Sequence, residues 1–362
     1  MFNSNRLTLA RKRRGLTKTS LANAIDVDLR TITGYEAGEF PPSQDSVVRL
    51  ATVLNFPPSF FFQDNAEEPS PDTVSFRSLS KMTAGQRDMA LAQGALAFLL
   101  SDWLEATFEL PSIDLPDLGE DQEPEAAAYA LRHHWGLGEQ PVSNMVHLLE
   151  AKGVRVFSLS VSGNATDAFS LWRETTPFVL LNTQKSAERS RFDAAHELGH
   201  LVLHRHASPQ GREAESQADA FASAFLMPRR SVLAHAPRFA TLANLIQLKK
   251  IWNVSLAALV YRLHSVGMLT DWHHRTLCIE LSKRGYRTRE PNESQRETSQ
   301  VWVQALASLR RDGVAKSKLA SLLHVPPLEI DALLFGLVTT SVGNPISSTP
   351  TSPRRPNLQI VE

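Results

Sequence analysis

The sequence predicts a mostly α protein with one small β-sheet, an α+β chain, and three observations carry that expectation. Residues 1–65 run as short amphipathic helices separated by sharp turn residues. From Gly153 the apolar period changes from helical to alternating for about thirty residues. From there to residue 337 helical periods return. A chain of 362 residues accommodates several domains at ~100–200 residues each. The punctuation divides it into 1–65, a helical connector at 66–140, a unit at 141–265, a helical C-terminal region at 266–340, and a Ser/Thr/Pro-rich tail at 341–362 expected to be disordered.

Composition excludes several classes. The chain carries 38 Lys+Arg and 38 Asp+Glu, so overall charge points to no partner. Residues 1–30 are different: Arg6, Arg11, Lys12, Arg13, Arg14, Lys18 and Arg30 face only Asp26 and Asp28 in the count, a basic block suited to a polyanion. The single cysteine, Cys278, permits no intrachain disulfide, and its neighbours Leu277 and Ile279 suggest a buried structural thiol. No N-terminal apolar h-region is present, and no apolar run approaches the ~20 residues of a membrane span. The chain reads as soluble and cytoplasmic, with no membrane partner.

In the first segment, Leu7, Leu9 and Ala10 outline a helix that Gly15 ends. Thr17 caps the next, with Leu21, Ala22 and Ile25 facing inward. After a turn at Asp26-Val27, Asp28 opens a third helix that Gly38 ends, and Val47, Leu50, Ala51 and Leu54 pack a fourth behind them. Two short helices joined by a tight turn describe a helix-turn-helix. Carried by the stretch from Gly15 to Phe62, residues 5–63 resemble the Cro/C1-type (XRE) DNA-binding domain of phage and bacterial repressors, which implies an all-α, lambda-repressor-like unit. The resemblance also implies a double-stranded DNA operator and a homodimer on paired half-sites. It places the helix starting at Asp28 in the major groove, with Arg30, Thr31 and Thr33 near base edges and Lys18 and Arg13 near phosphate. The first residue after the cap of the second helix is often glutamine in that family; Lys18 here favours a phosphate contact.

In the middle, Asp64 to Pro71 is acidic and proline-bearing, a linker by composition. Met82 to Phe108, Glu125 to Trp135 and Met145 to Lys152 follow as helices. Val154–Leu159, Ala168–Trp172 and Pro177–Leu181 read as strands. Either of the last two could serve as the edge that aligns an extended peptide by main-chain pairing.

The next helix carries His196-Glu197-Leu198-Gly199-His200. Histidines four residues apart rise from one helix face, and Glu197 sits beside them. Two neutral imidazoles can hold zinc, and the carboxylate can take a proton from water on that metal. A third protein ligand is required. His204 continues the same face, but ligands at i, i+4 and i+8 spread over ~12 Å of rise and cannot converge on one ion. His206 falls where HExxHxxGxxH places its last histidine, although Leu203 stands where that pattern needs glycine. The helix from Glu213 to Met227 is the better source. Glu215 can complete a His-His-Glu set while Asp219, one turn on, accepts a proton from a ligand imidazole; Glu213 is the fallback.

RFDAAHELGHLVLH followed by EAESQADAFASAFLMP resembles the ImmA/IrrE family of zinc-peptidase-like proteins over residues 140–235. The resemblance implies a zincin-like domain, His196, His200 and Glu215 as zinc ligands and Glu197 as general base, a gluzincin-like endopeptidase set. Gln217-Ala218-Asp219 stands where the family often has Glu-Ala-Asn, so Gln217 is not the ligand. Members of the family can cleave or otherwise inactivate repressor-type proteins, and many carry both domains on one chain. The implied function is a DNA-binding regulator with a zinc metallopeptidase domain acting on a repressor-type protein or peptide. The other reading is a regulator or antitoxin whose peptidase-like domain senses or binds without cleaving. In the C-terminal region, Ser317 to Leu337 again reads helix-turn-helix, but without a basic outer face, which suits packing or protein interaction.

Overall fold

The N-terminal helices begin where the chain supplies side-chain acceptors. Asn3 accepts the N–H groups of Asn5 and Arg6 to open α1 (Ser4–Arg13), Thr17 accepts that of Ser20 to open α2 (Lys18–Ala24), and Ser43 accepts that of Ser46 to open α4 (Gln44–Leu54). α3 (Leu29–Ala37) starts at Asp28 but draws no capping hydrogen bond from its side chain, a difference from the expected cap. Gly38, at φ 73°, ends it in the left-handed conformation that glycine adopts without strain. Leu7, Leu21, Ile32 and Leu50 meet in the centre, each fully buried.

The structure, a computed structural model, describes residues 1–76, 82–118, 122–160, 168–205 and 211–338. His206 and the 341–362 tail lie outside the described residues. After the four helices come β1 (Ser75–Phe76), α5 (Ala84–Thr107), α6 (Pro124–His134) and α7 (Met145–Ala151). β2 (Arg155–Ser158), β3 (Ala168–Arg173) and β4 (Thr176–Leu181) follow, then α8 (Ala187–Leu203) and α9 (Arg212–Leu226). The remainder is helical: α10 (Arg229–His235), α11 (Leu242–Leu248), α12 (Leu256–Ser265), α13 (Asp271–Lys283), α14 (Gln300–Arg311), α15 (Lys316–Leu322) and α16 (Pro327–Leu334). No helix among the described residues is long and apolar enough to cross a membrane.

The sheet has four strands in the order β1-β3-β4-β2, with β2 and β4 parallel and the other pairs antiparallel. β4 is therefore interior, which removes Pro177–Leu181 as a peptide-aligning edge. β1 lies in what composition marks as connector, and two residues offer no alternation by which to find it.

Strand alternation makes the sheet a partition. Phe157, Phe169, Phe178 and Leu180 point into one core with α1–α5 and with Trp302, Leu319, Ile330 and Leu333 of α14–α16. Val156, Ala168, Val179 and Leu181 point into the other, with α6–α13. The second C-terminal helix pair thus packs into the same core as the N-terminal helices. Cys278 is half-buried rather than buried, packed at the margin of the second core, and its neighbour Ile279 turns outward at 50 % exposure.

Candidate metal centre

α8 and α9 can carry a shared site because they approach closely. A Cβ at Gly199 would lie 3.1 Å from the Phe221 ring and 3.3 Å from the Ala218 backbone. Glycine at 199 and alanine at 218 therefore set the helix separation. On α8, Nε2 of His196 and Nε2 of His200 are 3.0 Å apart, facing α9. Glu215 places one oxygen 3.5 Å from the first and the other 3.4 Å from the second. Glu213 is exposed on the far side of the first turn of α9.

The remaining ring nitrogens fix the tautomers. Asp219 Oδ1 accepts from His196 Nδ1 at 2.8 Å, which leaves His196 Nε2 as a lone pair. His204 Nε2 meets Gln217 Oε1 at 2.8 Å, and His204 Nδ1 meets His200 Nδ1 at 3.0 Å. An amide oxygen accepts, so His204 presents a lone pair to His200, whose Nδ1 then donates and whose Nε2 is also a lone pair. Two lone pairs and a carboxylate converge on one point, an arrangement that a cation reconciles. Tetrahedral zinc with bonds of about 2.0–2.1 Å sets its donors about 3.3 Å apart. The observed 3.0, 3.4 and 3.5 Å fit that ion.

Residues 7–61 match the family model for a helix-turn-helix, and residues 149–264 match that for the IrrE N-terminal-like domain. The chain joins an XRE-type helix-turn-helix to an ImmA/IrrE-like domain. No curated protein matches the chain significantly.

Within the IrrE-like domain, burial drives the electrostatics. Glu197 is 1 % exposed, and burial pushes its carboxyl up to about 7 against the pull of His196, Ser170 and Ser75. Burial also raises Glu215, but where His196 and His200 carry protons toward it they outweigh burial and hold the group at about 2, so the carboxylate stays charged beside the two rings. Burial lowers His200 and His204, favouring the neutral rings that bind metal. Glu197 Oε1 and Glu215 Oε1 are buried with no hydrogen-bond partner among the described residues. A cleft of about 880 Å³ is lined in part by Arg189, Phe192, Tyr261, Glu215 and Asp219, so it reaches the α9 side of the cluster.

Four residues here have roles that the sequence alone did not assign. Ser75 Oγ and Ser170 Oγ each donate to Glu197 Oε2 at 2.7 Å. His204 and Gln217 act behind His200. The i, i+4 spacing of His200 and His204 was the available signal for one of them; Ser75, on an unforeseen strand, had none.

On the helix-turn-helix, Arg30 and Thr33 are exposed on α3, Thr31 is half-exposed, and Asp28 is exposed at its start. Lys18 is half-exposed and lies 3.4 Å from Glu36. Arg13 requires a correction: it is 7 % exposed and its Nε donates to Glu329 Oε2 at 2.7 Å, so it does not face a phosphate. The basic block as a whole is largely spent inside the protein. Arg11 pairs with Glu36, Lys12 with Glu68, and Arg6 donates to the Asp64 carbonyl.

Proposed function

We propose that this protein is a sequence-specific DNA-binding regulator, cytoplasmic and dimeric on its operator, whose IrrE-like domain is a zinc metallopeptidase acting on a repressor-type protein. The observation that carries the enzymatic half is the convergence of His196, His200 and Glu215 beside Glu197, with tautomers fixed by Asp219 and by His204–Gln217. His196, His200 and Glu215 would hold the ion. When bound, zinc supplies Lewis acidity toward the scissile carbonyl and acidifies the attacking water. Glu197 would take the proton of the attacking water at Oε1, the oxygen with no hydrogen-bond partner among the described residues, and return it to the departing amine. Ser170 holds Oε2 and so orients the carboxylate. Asp219 keeps His196 aligned as its charge environment changes.

The second reading, a regulator whose IrrE-like domain binds or senses a partner without cleaving, has one observation in its favour. Glu197 is sealed from solvent and accepts from Ser75 as well as Ser170. Incubating parent protein and Glu197→Gln with candidate repressor-type proteins separates the readings. Cleavage by the parent alone supports the peptidase. Failure by both, with operator binding retained, supports the sensor.

A further inference from the structure

Among the described residues, β3 is paired on one side by β4 along its length and on the other by the two residues of β1. That outer edge lies over the HExxH helix, since Ser170 of β3 reaches both the side chain and the carbonyl of Glu197. Ser75 pairs with Ser170 in antiparallel register, accepts the Ser170 N–H at Oγ, and donates to the Glu197 carboxylate. Val74 and Ser75 are 0 % and 1 % exposed, although they belong to the stretch leaving the helix-turn-helix domain.

We propose that the outer edge of β3 is a docking site for one extended peptide and that Val74–Phe76 of this chain occupies it in cis, closing the site until the segment is displaced. The inference rests on the IrrE-like domain handling peptides. Main-chain pairing tolerates many sequences, so another peptide can take the same edge. The side chains narrow the choice. The position facing Glu197 takes a small hydroxyl residue, because Ser75 Oγ fits between Ser170 and the carboxylate at 2.9 and 2.7 Å. The residue before it is apolar, because Val74 is fully buried. The occupant blocks rather than presents a scissile bond, since its side-chain hydroxyl is what meets Glu197. Its position immediately after the DNA reader also ties release of the segment to the state of that domain.

Two variants of the full-length protein test this, with a fluorescein-labelled peptide of residues 70–76 as probe and fluorescence anisotropy as readout. Ser75→Asp sets a second carboxylate against Glu197 and should expel the segment; at least tenfold tighter peptide binding than the parent is expected. The double variant Phe76→Cys/Phe169→Cys joins a paired position by a disulfide. Oxidised, it should bind no peptide; reduced, it should bind as the parent does. Equal binding by parent and Ser75→Asp, or by oxidised and reduced double variant, overturns the proposal. So does zinc-dependent cutting of the parent within 73–76, which would make the segment a substrate. Peptide capture without any cleavage counts against the peptidase reading alone.

Discussion

Arg13 and Glu329 stand 316 positions apart in the chain, and their side chains meet at 2.7 Å in the protein interior. Arg14, the residue that caps the end of α1, takes the other carboxylate oxygen at 2.5 Å, so one glutamate of α16 clamps two successive arginines. The DNA reader is thereby bolted to the C-terminal region through a buried ion pair as well as through the shared core. Removing one partner of such a pair strands the other without compensation, at a cost of roughly 3–5 kcal/mol. Glu329→Ala should therefore lower the melting temperature clearly in a calorimetric scan, while a substitution at exposed Glu213 should not move it.

The same clamp takes Arg13 away from the outer face of the helix-turn-helix. Arg30→Ala on the outer face of α3 should weaken operator binding by about 1–3 kcal/mol and relax specificity at one base position. Lys18→Ala should weaken binding across sequences and reduce the salt slope by about one. Arg13→Ala should leave the salt slope unchanged, because Arg13 faces Glu329. Electrophoretic mobility or anisotropy titrations at several salt concentrations check all three.

What the sequence revealed follows from where chemistry is local. The HELGH spacing is a property of one helix, so it could be read directly, and a carboxylate on the next helix was a short extrapolation. Cap and turn residues marked the first four helices for the same reason. Direction is not local: seven cations in thirty residues look like a polyanion surface, but only the fold shows Arg6, Arg11 and Arg13 turned inward. Ser75 was hidden more deeply. Its two-residue strand has no period, and its role depends on Ser170 and Glu197, 95 and 122 positions away.

Asp219→Asn should lower zinc affinity about 10–100-fold, the usual consequence of losing the partner that orients a metal-bound imidazole. The amide can present a donor to His196 Nδ1 and favour the wrong tautomer. Gln217→Leu should act in the same direction through His204 and His200. Competition against a zinc-binding dye measures both.

Glu150 predicts a pH dependence outside the site. Buried in α7, it accepts from Ser299 Oγ and from the N–H groups of Gln300 and Val301 at the start of α14. Burial nonetheless raises its carboxyl from the ordinary 4.5 to about 7. The folded state then binds more protons than the unfolded state between those values. The contribution is fully present below pH 4.5 and is lost as pH rises through 7, by roughly 3 kcal/mol in all. Melting temperatures recorded from pH 5 to 8 should fall more steeply for the parent than for Glu150→Gln, which stays neutral throughout.

The most direct test of the account is the zinc content of purified full-length protein, measured by plasma mass spectrometry beside Glu215→Ala and the double variant His196→Ala/His200→Ala. One zinc per parent chain is expected, with a sharply reduced content in Glu215→Ala and none in the double variant. A parent chain that retains no zinc, or variants that retain as much as the parent, would contradict it.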